Sequence, residues 1–376
     1  MAICSTINLP RHAVGTQHSL KVWQFGEPGA SPKVYIQASM HADELPASLA
    51  AAKLLPRLMA ADEAGKISGE IILVPVANPI GLNNVSLRSH NGRHHLPTGE
   101  NYNRGFHDVS DQVLDAIDGK MANGPEADTA LVKREVAAAL AAAAPANEAQ
   151  ALRLELMRLA CDADIVLDLH TDSEAQMHLY LDEDHWPKAA DLAGLLDARV
   201  VMFARASGGG PFEETIAWPY VRARETYGAD AVELPLTVVV ELRGEYDASH
   251  ALSDFDADAM YRFLCHRGAI TEGAGLLPEF TGVAAPFSAT DTLTAKAAGI
   301  VVYTADIGQA VKKGDVLVEI IDPLADGNIV VDRITAAADG VFFARSNQRL
   351  AWPGETVGKV QGTEVLAHRT GKLLYD

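Results

Sequence analysis

The segment Lys33-Val34-Tyr35-Ile36-Gln37-Ala38 runs directly into Ser39-Met40-His41-Ala42-Asp43-Glu44-Leu45-Pro46. Its first six residues include β-branched and aromatic side chains, the composition of a strand. Pro46 suits the first turn of a helix, and the Ala- and Leu-rich segment 47–60 continues it, with Pro56 expected to kink or shorten it. A strand that passes at once into a helix is the repeating unit of an α/β sheet, in which ligands bind beyond the carboxyl ends of the strands. The junction carries His41 and Glu44. Three positions apart on a helical turn, they would share one face and could meet one metal ion. A His-x-x-Glu also arises by chance as a solvated helix start, so the rest of the chain has to decide.

The same alternation extends outward. Segment 71–76 (IILVPV) reads as a strand buried on both faces and stopped at Asn78-Pro79. Segment 165–170 reads as another, ending in Asp168-Leu169-His170. Weaker strands at 179–182 and 199–203 flank a helix at 191–197, and 234–242 (LPLTVVVEL) is the most apolar strand, with Glu241 near its close. Helical spacing is clear over 148–163 and 254–267, and the Ala-rich segment 115–147 reads as helix with turns. The polar segment 81–108 has no periodicity, and a loop of that length inside a domain is usually functional. The pattern predicts an α/β domain over residues 1–278, with a mainly parallel mixed sheet flanked by helices. From 279 to 376 the texture changes to short β-like pieces punctuated by glycine, which predicts a small all-β domain.

Composition narrows the classes. With 376 residues, 48% of them hydrophobic, the chain can bury a sizeable core in two unequal domains. A net charge of -19 argues against nucleic acid or an anionic membrane as partner. Cys4, Cys161 and Cys265 are widely spaced and odd in number, so no disulfide framework is expected and a reducing cytoplasm fits. Met1 to His18 holds no apolar stretch of signal-peptide or membrane-span type, so a soluble, cytoplasmic protein is expected.

The chemistry-bearing residues fall at strand ends: His41 and Glu44 after the first, His170 at the close of a later one, Glu241 at the close of the most apolar one. His, Glu and His make three protein ligands, the number a catalytic zinc uses while keeping a fourth position open. One Zn2+ per chain is therefore expected, supplying Lewis acidity and an acidified water. A charge at the end of an apolar strand needs a task or a partner. Glu241 is accordingly the candidate general base and then acid, its bland alternative being a salt bridge to Arg243 or Arg104. Asp168, two before His170 and so on the same strand face, is a candidate to orient it.

HADE, NRGF, DLH and VVVELRGE, in this order between about Pro32 and Tyr246, resemble the succinylglutamate desuccinylase/aspartoacylase family of the zinc carboxypeptidase-like fold. The resemblance implies zinc held by His41, Glu44 and His170, with Glu241 as the catalytic carboxylate. It also implies that Asn103 and Arg104 grip the substrate's carboxylate, a role that suits a guanidinium fork. A further arginine should stabilise the oxyanion. The family's spacing for it falls on Leu96 here, so Arg93 is preferred and Arg88 is the alternative.

The tail segments 299–323 and 337–345 resemble the hammerhead fold of biotinyl and lipoyl domains. The hairpin Ile321 to Gly327 has no lysine, so the tail is expected to be structural, capping the site or mediating contacts in a homo-oligomer. The whole predicts a zinc-dependent amidohydrolase acting on a small N-acyl amino acid or related carboxylate. The rivals are a zinc carboxypeptidase acting on peptides and a non-catalytic binding module on the same fold. Phe212, Glu213, Glu214, Trp218 and Arg243 are candidate specificity residues, and the acidic pair would suit a substrate amine.

Overall fold

A computed structural model describes residues 1–11, 13–371 and 373. Nine strands build the large sheet: β1 (Ile3–Asn8), β2 (Ser19–Phe25), β3 (Lys33–Ala38), β4 (Glu70–Val74), β5 (Ile165–Asp172), β6 (His178–Leu181), β7 (Val200–Phe203), β8 (Leu236–Gly244) and β9 (Val283–Pro286). Their order is β1-β2-β4-β3-β5-β8-β6-β7-β9. The centre, β4-β3-β5-β8, is parallel, as are β6-β7 and β7-β9, whereas β1-β2, β2-β4 and β8-β6 are antiparallel. The expected mixed, mainly parallel sheet is therefore present, and both faces are covered.

Strand alternation sorts the core into two layers. Val34, Ile36 and Ala38 of β3 pack with Leu54 and Leu58 of α1 (Leu45–Glu63) and with Phe263 of a helix at His250–His266. Tyr35, from the same strand, faces the opposite layer, where it meets Leu152 of Glu148–Ala160 and Phe212 and Tyr220 of Phe212–Tyr227. With side chains drawn to both faces, the central strands must be apolar almost throughout, which is why they were legible.

Two local expectations are corrected. α1 runs unbroken past Pro56, because the proline ring and Ala52, whose carbonyl loses its helical donor there, are both on the exposed side and water can take the donor's place. His41 to Glu44 forms a turn ahead of the helix rather than its first turn, closed by Glu44 N–H to His41 O at 3.2 Å.

The tail forms two antiparallel sheets around Leu293, Val318, Ile320, Phe342 and Val360. Strands cross position 279 in both senses. β9 completes the large sheet beside β7, while Glu174–Ala175 pairs with Gly340–Arg345 of the tail. Among the described residues no helix is long and apolar enough to cross a membrane.

Candidate active site

The turn after β3 begins with Ser39 at φ +55, an uncommon conformation for a residue with a Cβ. Its hydroxyl holds it there, donating to Glu44 O at 3.0 Å and meeting Ser48 Oγ at 2.7 Å, while Asn78 Nδ2 donates to Met40 O. The turn sets His41 and Glu44 side by side at the carboxyl end of the sheet. β5, the neighbouring parallel strand, ends in His170 at the same level. His41 Nδ1 and His170 Nδ1 each lie 2.8 Å from one oxygen of Glu44, and the Thr171 N–H donates to Glu44 Oε2. All three ligand-type side chains are buried.

The outer nitrogens of the imidazoles are held from behind. His41 Nε2 lies 2.8 Å from Asn101 Oδ1, which accepts its proton. His170 Nε2 lies 3.1 Å from Asp168 Oδ2, close enough to pair though not aligned for a hydrogen bond. Asp168 is held in turn, because Gln37 Nε2 donates to its Oδ1 and Tyr35 donates to Gln37 Oε1. Burial, with Arg93 nearby, lowers His41 to about 4, so it is neutral at pH 7 and its Nδ1 lone pair faces inward. Burial also opposes charge on His170, but Asp168 and Glu44 outweigh it and hold that imidazole well above its ordinary range.

This centre fits a divalent cation. Among the described residues it is the one group of three His, Cys, Asp or Glu whose ligand atoms all lie within 4.8 Å of one another. Two imidazoles and a carboxylate are donors that suit zinc, and both imidazoles have partners on their far sides, as metal-binding histidines usually do. The donors already attract a cationic side chain: an Arg93 guanidinium nitrogen lies 3.3 Å from Glu44 Oε1 and 3.2 Å from His41 Nδ1. Gly92 makes this approach feasible, since a Cβ there would come within 2.3 Å of Asp43 N.

One cleft gathers most of the residues expected from the sequence: His41, Glu44, His170, Arg93, Asn103, Arg104 and Glu241 all line it. Glu241 is partly buried, its Oε2 has no hydrogen-bond partner, and burial together with Glu44 raises its pKa to about 8. Asn103 Oδ1 accepts from the Phe212 N–H, and the segment 103–106 lies against Gly209 and Gly210. A Cβ at Gly209 would fall 2.7 Å from Arg104 Cδ.

Of the other candidates, Glu213 also lines the cleft, Glu214 and Trp218 line a neighbouring pocket, Phe212 is buried in the core, and two arginines lie elsewhere. Arg88 sits at the exposed tip of a short hairpin, at φ +68. Arg243 is turned away from the cleft and pairs with Asp256 of the helix His250–His266. Strand periodicity would have put it on the face of Glu241, but the register shifts between Glu241 and Gly244 and Arg243 takes φ +66, which ends the alternation.

Several residues at the site were not singled out from the sequence. Asn101 stands two before Asn103, the same offset that drew attention to Asp168 before His170. Gln37 and Tyr35 are hidden in an apolar strand. Lys359 and Glu245 also line the cleft. Lys359 comes from the tail and pairs with Asp172, while Asn347 of the tail donates to Glu245 Oε2 at 2.8 Å.

Residues 30–267 match the succinylglutamate desuccinylase/aspartoacylase catalytic domain. No curated protein matches the chain. Among solved structures, a protein assigned to the succinylglutamate desuccinylase/aspartoacylase family from Shewanella amazonensis SB2B is 26% identical, with a TM-score of 0.81 over 96% of this chain and 98% of that one. One from Shewanella frigidimarina NCIMB 400 is 24% identical, with a TM-score of 0.83 over 97% and 98%. The ectoine utilization protein EutE (DoeB) of Ruegeria pomeroyi, solved with product bound, is 17% identical and shares the fold with a TM-score of 0.67 over 96% and 95%. A match that spans both the His41–Glu44 turn and the Glu241 strand leaves one conclusion: the chain belongs to the succinylglutamate desuccinylase/aspartoacylase family.

Proposed function

We propose that this protein is a zinc-dependent amidohydrolase that cleaves the amide of a small N-acyl amino acid. The observation that carries the reading is the convergence, in one cleft, of the His41–Glu44–His170 donors with an unpartnered Glu241 carboxylate and two arginines. Family membership supports a hydrolase of the deacylase kind.

His41 Nδ1, Glu44 and His170 Nδ1 would hold the metal, whose chemistry when bound is Lewis acidity toward a carbonyl and a lowered pKa for water. The protein's own groups account for the remaining steps. Glu241 takes a proton from the attacking water as its oxygen bonds to the amide carbon, and a raised pKa suits a group that must accept and then return a proton near neutrality. The Arg93 guanidinium donates to the oxyanion that forms on the carbonyl oxygen. Arg104 and the Asn103 amide hold the substrate's carboxylate. Glu241 then gives its proton to the nitrogen as the C–N bond breaks, leaving a carboxylate and an amine.

The tail favours small substrates over peptides. Lys359 lines the cleft and Asn347 ties Glu245 beside it, so the entrance is narrowed by side chains that the first 278 residues do not supply. The all-β tail, resembling a hammerhead in sequence, acts in this reading as a cap. The test is turnover by the purified protein on a panel of N-acetyl amino acids and on the matching dipeptides, with metal content measured on the same sample. About one zinc per chain and faster hydrolysis of the N-acetyl compounds are expected. Preference for dipeptides would point to the carboxypeptidase instead, and inactivity on both would leave only a binding module.

A further inference from the structure

Between Glu100 and Gly105 the chain carries Asn101, Asn103 and Arg104, and its only regular structure there is the short hairpin that pairs His94–His95 with Glu100–Asn101. Short bonds run along the segment. Asn101 Oδ1 accepts from the Asn103 N–H at 2.9 Å, and Arg104 Nη1 donates to Asn103 O at 2.8 Å. The helix Glu148–Ala160 lies against it. Arg153 of that helix is only 5% exposed, and its guanidinium reaches both ends of the segment: Nη2 donates to Glu100 Oε2 at 2.9 Å and Nη1 to Gly105 O at 3.4 Å. Its Nε makes no hydrogen bond, so both of its hydrogen bonds go to this one loop. Glu148, at the start of the same helix, lies 3.7 Å from His95 on the hairpin.

Burying a guanidinium costs free energy that only well-placed acceptors recover, and here the acceptors are a carboxylate and a carbonyl at opposite ends of one loop. A planar fork serves two acceptors in fixed directions at once, which the point charge of an ammonium does not. Gly105 takes φ +64, a conformation that a side chain would strain. Arg153 does not line the cleft, so any effect it has on a substrate passes through the residues between its two anchors. Those residues include the two assigned to the substrate's carboxylate. Asn101 has a tie of its own, to His41 Nε2, so the metal donors do not depend on the anchor.

We propose that Arg153 is a positioning residue for substrate recognition: by fixing both ends of segment 100–105 it aims the Asn103 amide and the Arg104 guanidinium at the substrate's carboxylate. The inference rests on the amidohydrolase reading, in which those two groups hold that carboxylate, and deepens it. A displacement of about 1 Å in a group that orients the substrate can cost about 100-fold in rate. Loss of the anchor should therefore fall on binding of the carboxylate, while the zinc donors and Glu241 stay in place.

The experiment compares the full-length, zinc-loaded protein with Arg153→Ala on the N-acetyl amino acid that the parent hydrolyses fastest and on its primary amide, which lacks the carboxylate. The parent should favour the acid. Arg153→Ala should cut that preference by about 10- to 100-fold through a higher KM for the acid, with kcat for the acid and kcat/KM for the amide close to the parent's. If Arg153→Ala folds poorly, Glu100→Ala removes one anchor from an exposed position and gives the same ratio test. A parent indifferent to the carboxylate, an equal loss on both compounds, or no loss on either overturns this inference and leaves the amidohydrolase standing. If the parent hydrolyses nothing, the amidohydrolase reading fails and calorimetry with N-acetylglycine and N-acetylglycinamide decides the role of Arg153. Tighter binding of the acid, lost in Arg153→Ala, upholds it, and equal or absent binding overturns it.

Discussion

Glu241 lies near the end of β8 in surroundings that tax its charge, where burial together with Glu44 outweighs the opposing pull of His170 and Lys359. Exchanging it for glutamine keeps the shape and removes the proposed base. Glu241→Gln is expected to hold about one zinc while hydrolysis falls by about 10²- to 10⁴-fold; unimpaired turnover in the metal-loaded variant would remove Glu241 from the mechanism. Asn101 acts at one remove, holding His41 Nε2 so that Nδ1 faces the centre. Asn101→Ala should weaken zinc binding by about 10- to 100-fold in a chelator competition, and an unchanged affinity would show that the turn alone fixes the ring. Glu213 makes a prediction about stability. Burial and Glu214 raise its pKa from 4.5 to about 8, so between those values the folded state binds more protons than the unfolded chain. Stability from this group is full below the lower value and is lost as pH rises through the higher one. Metal-free protein should therefore melt progressively lower as pH rises across that window, and Glu213→Gln should flatten the slope.

At the level of elements, the site depends on a parallel sheet delivering three strand ends to one level. β3 and β5 are in direct register, Ala38 opposite Leu169, and β8 brings Glu241 opposite His170. α1 holds the first of these ends, since Glu44 is also its N-cap residue. Pro56 interrupts that helix at no visible cost to its course, but the missing N–H and the ring remain unfavourable in a helix interior. Pro56→Ala, on an exposed face, is expected to stabilise the protein by about 1 kcal/mol or more, measured by urea denaturation. No gain would mean that the helix is shaped around the proline.

For the whole molecule, the tail contributes a wall of the cleft through Lys359. Lys359 pairs with Asp172 and counters the burial that would otherwise raise that carboxyl, so its pKa lies below the ordinary range. Arg345 and Arg349 both pair with Glu174 on the opposite side of the seam, and the rings of Tyr180 and Phe287 stack at 4.9 Å. Lys359→Ala leaves the partly buried Asp172 without its cation and should destabilise the fold by about 1–3 kcal/mol. KM should rise in the same variant because the cleft loses a wall. If KM is untouched while stability falls, the tail is a brace and not part of the substrate site.

The sequence by itself determined the α/β frame, because strands buried on both faces must be apolar runs and such runs announce themselves. It also exposed His41, Glu44, Asp168, His170 and Glu241, since polar residues at the ends of apolar strands are conspicuous and a sheet gathers its strand ends. It was less informative where local pattern and environment part company. The helix Phe212–Tyr227 carries a proline and two acids in a layer that covers them. Most of β1 is exposed and has no buried face to pattern it. Only the tertiary structure decided that Arg243 turns away, because a bulge reverses strand alternation without altering composition. Only it joined Tyr35 and Gln37 to His170 through Asp168, across two strands separated by more than a hundred residues. Lys359 reaches the cleft, and the unpartnered oxygens around Glu213 share one pocket, through contacts between distant segments, and no periodicity within a segment encodes them.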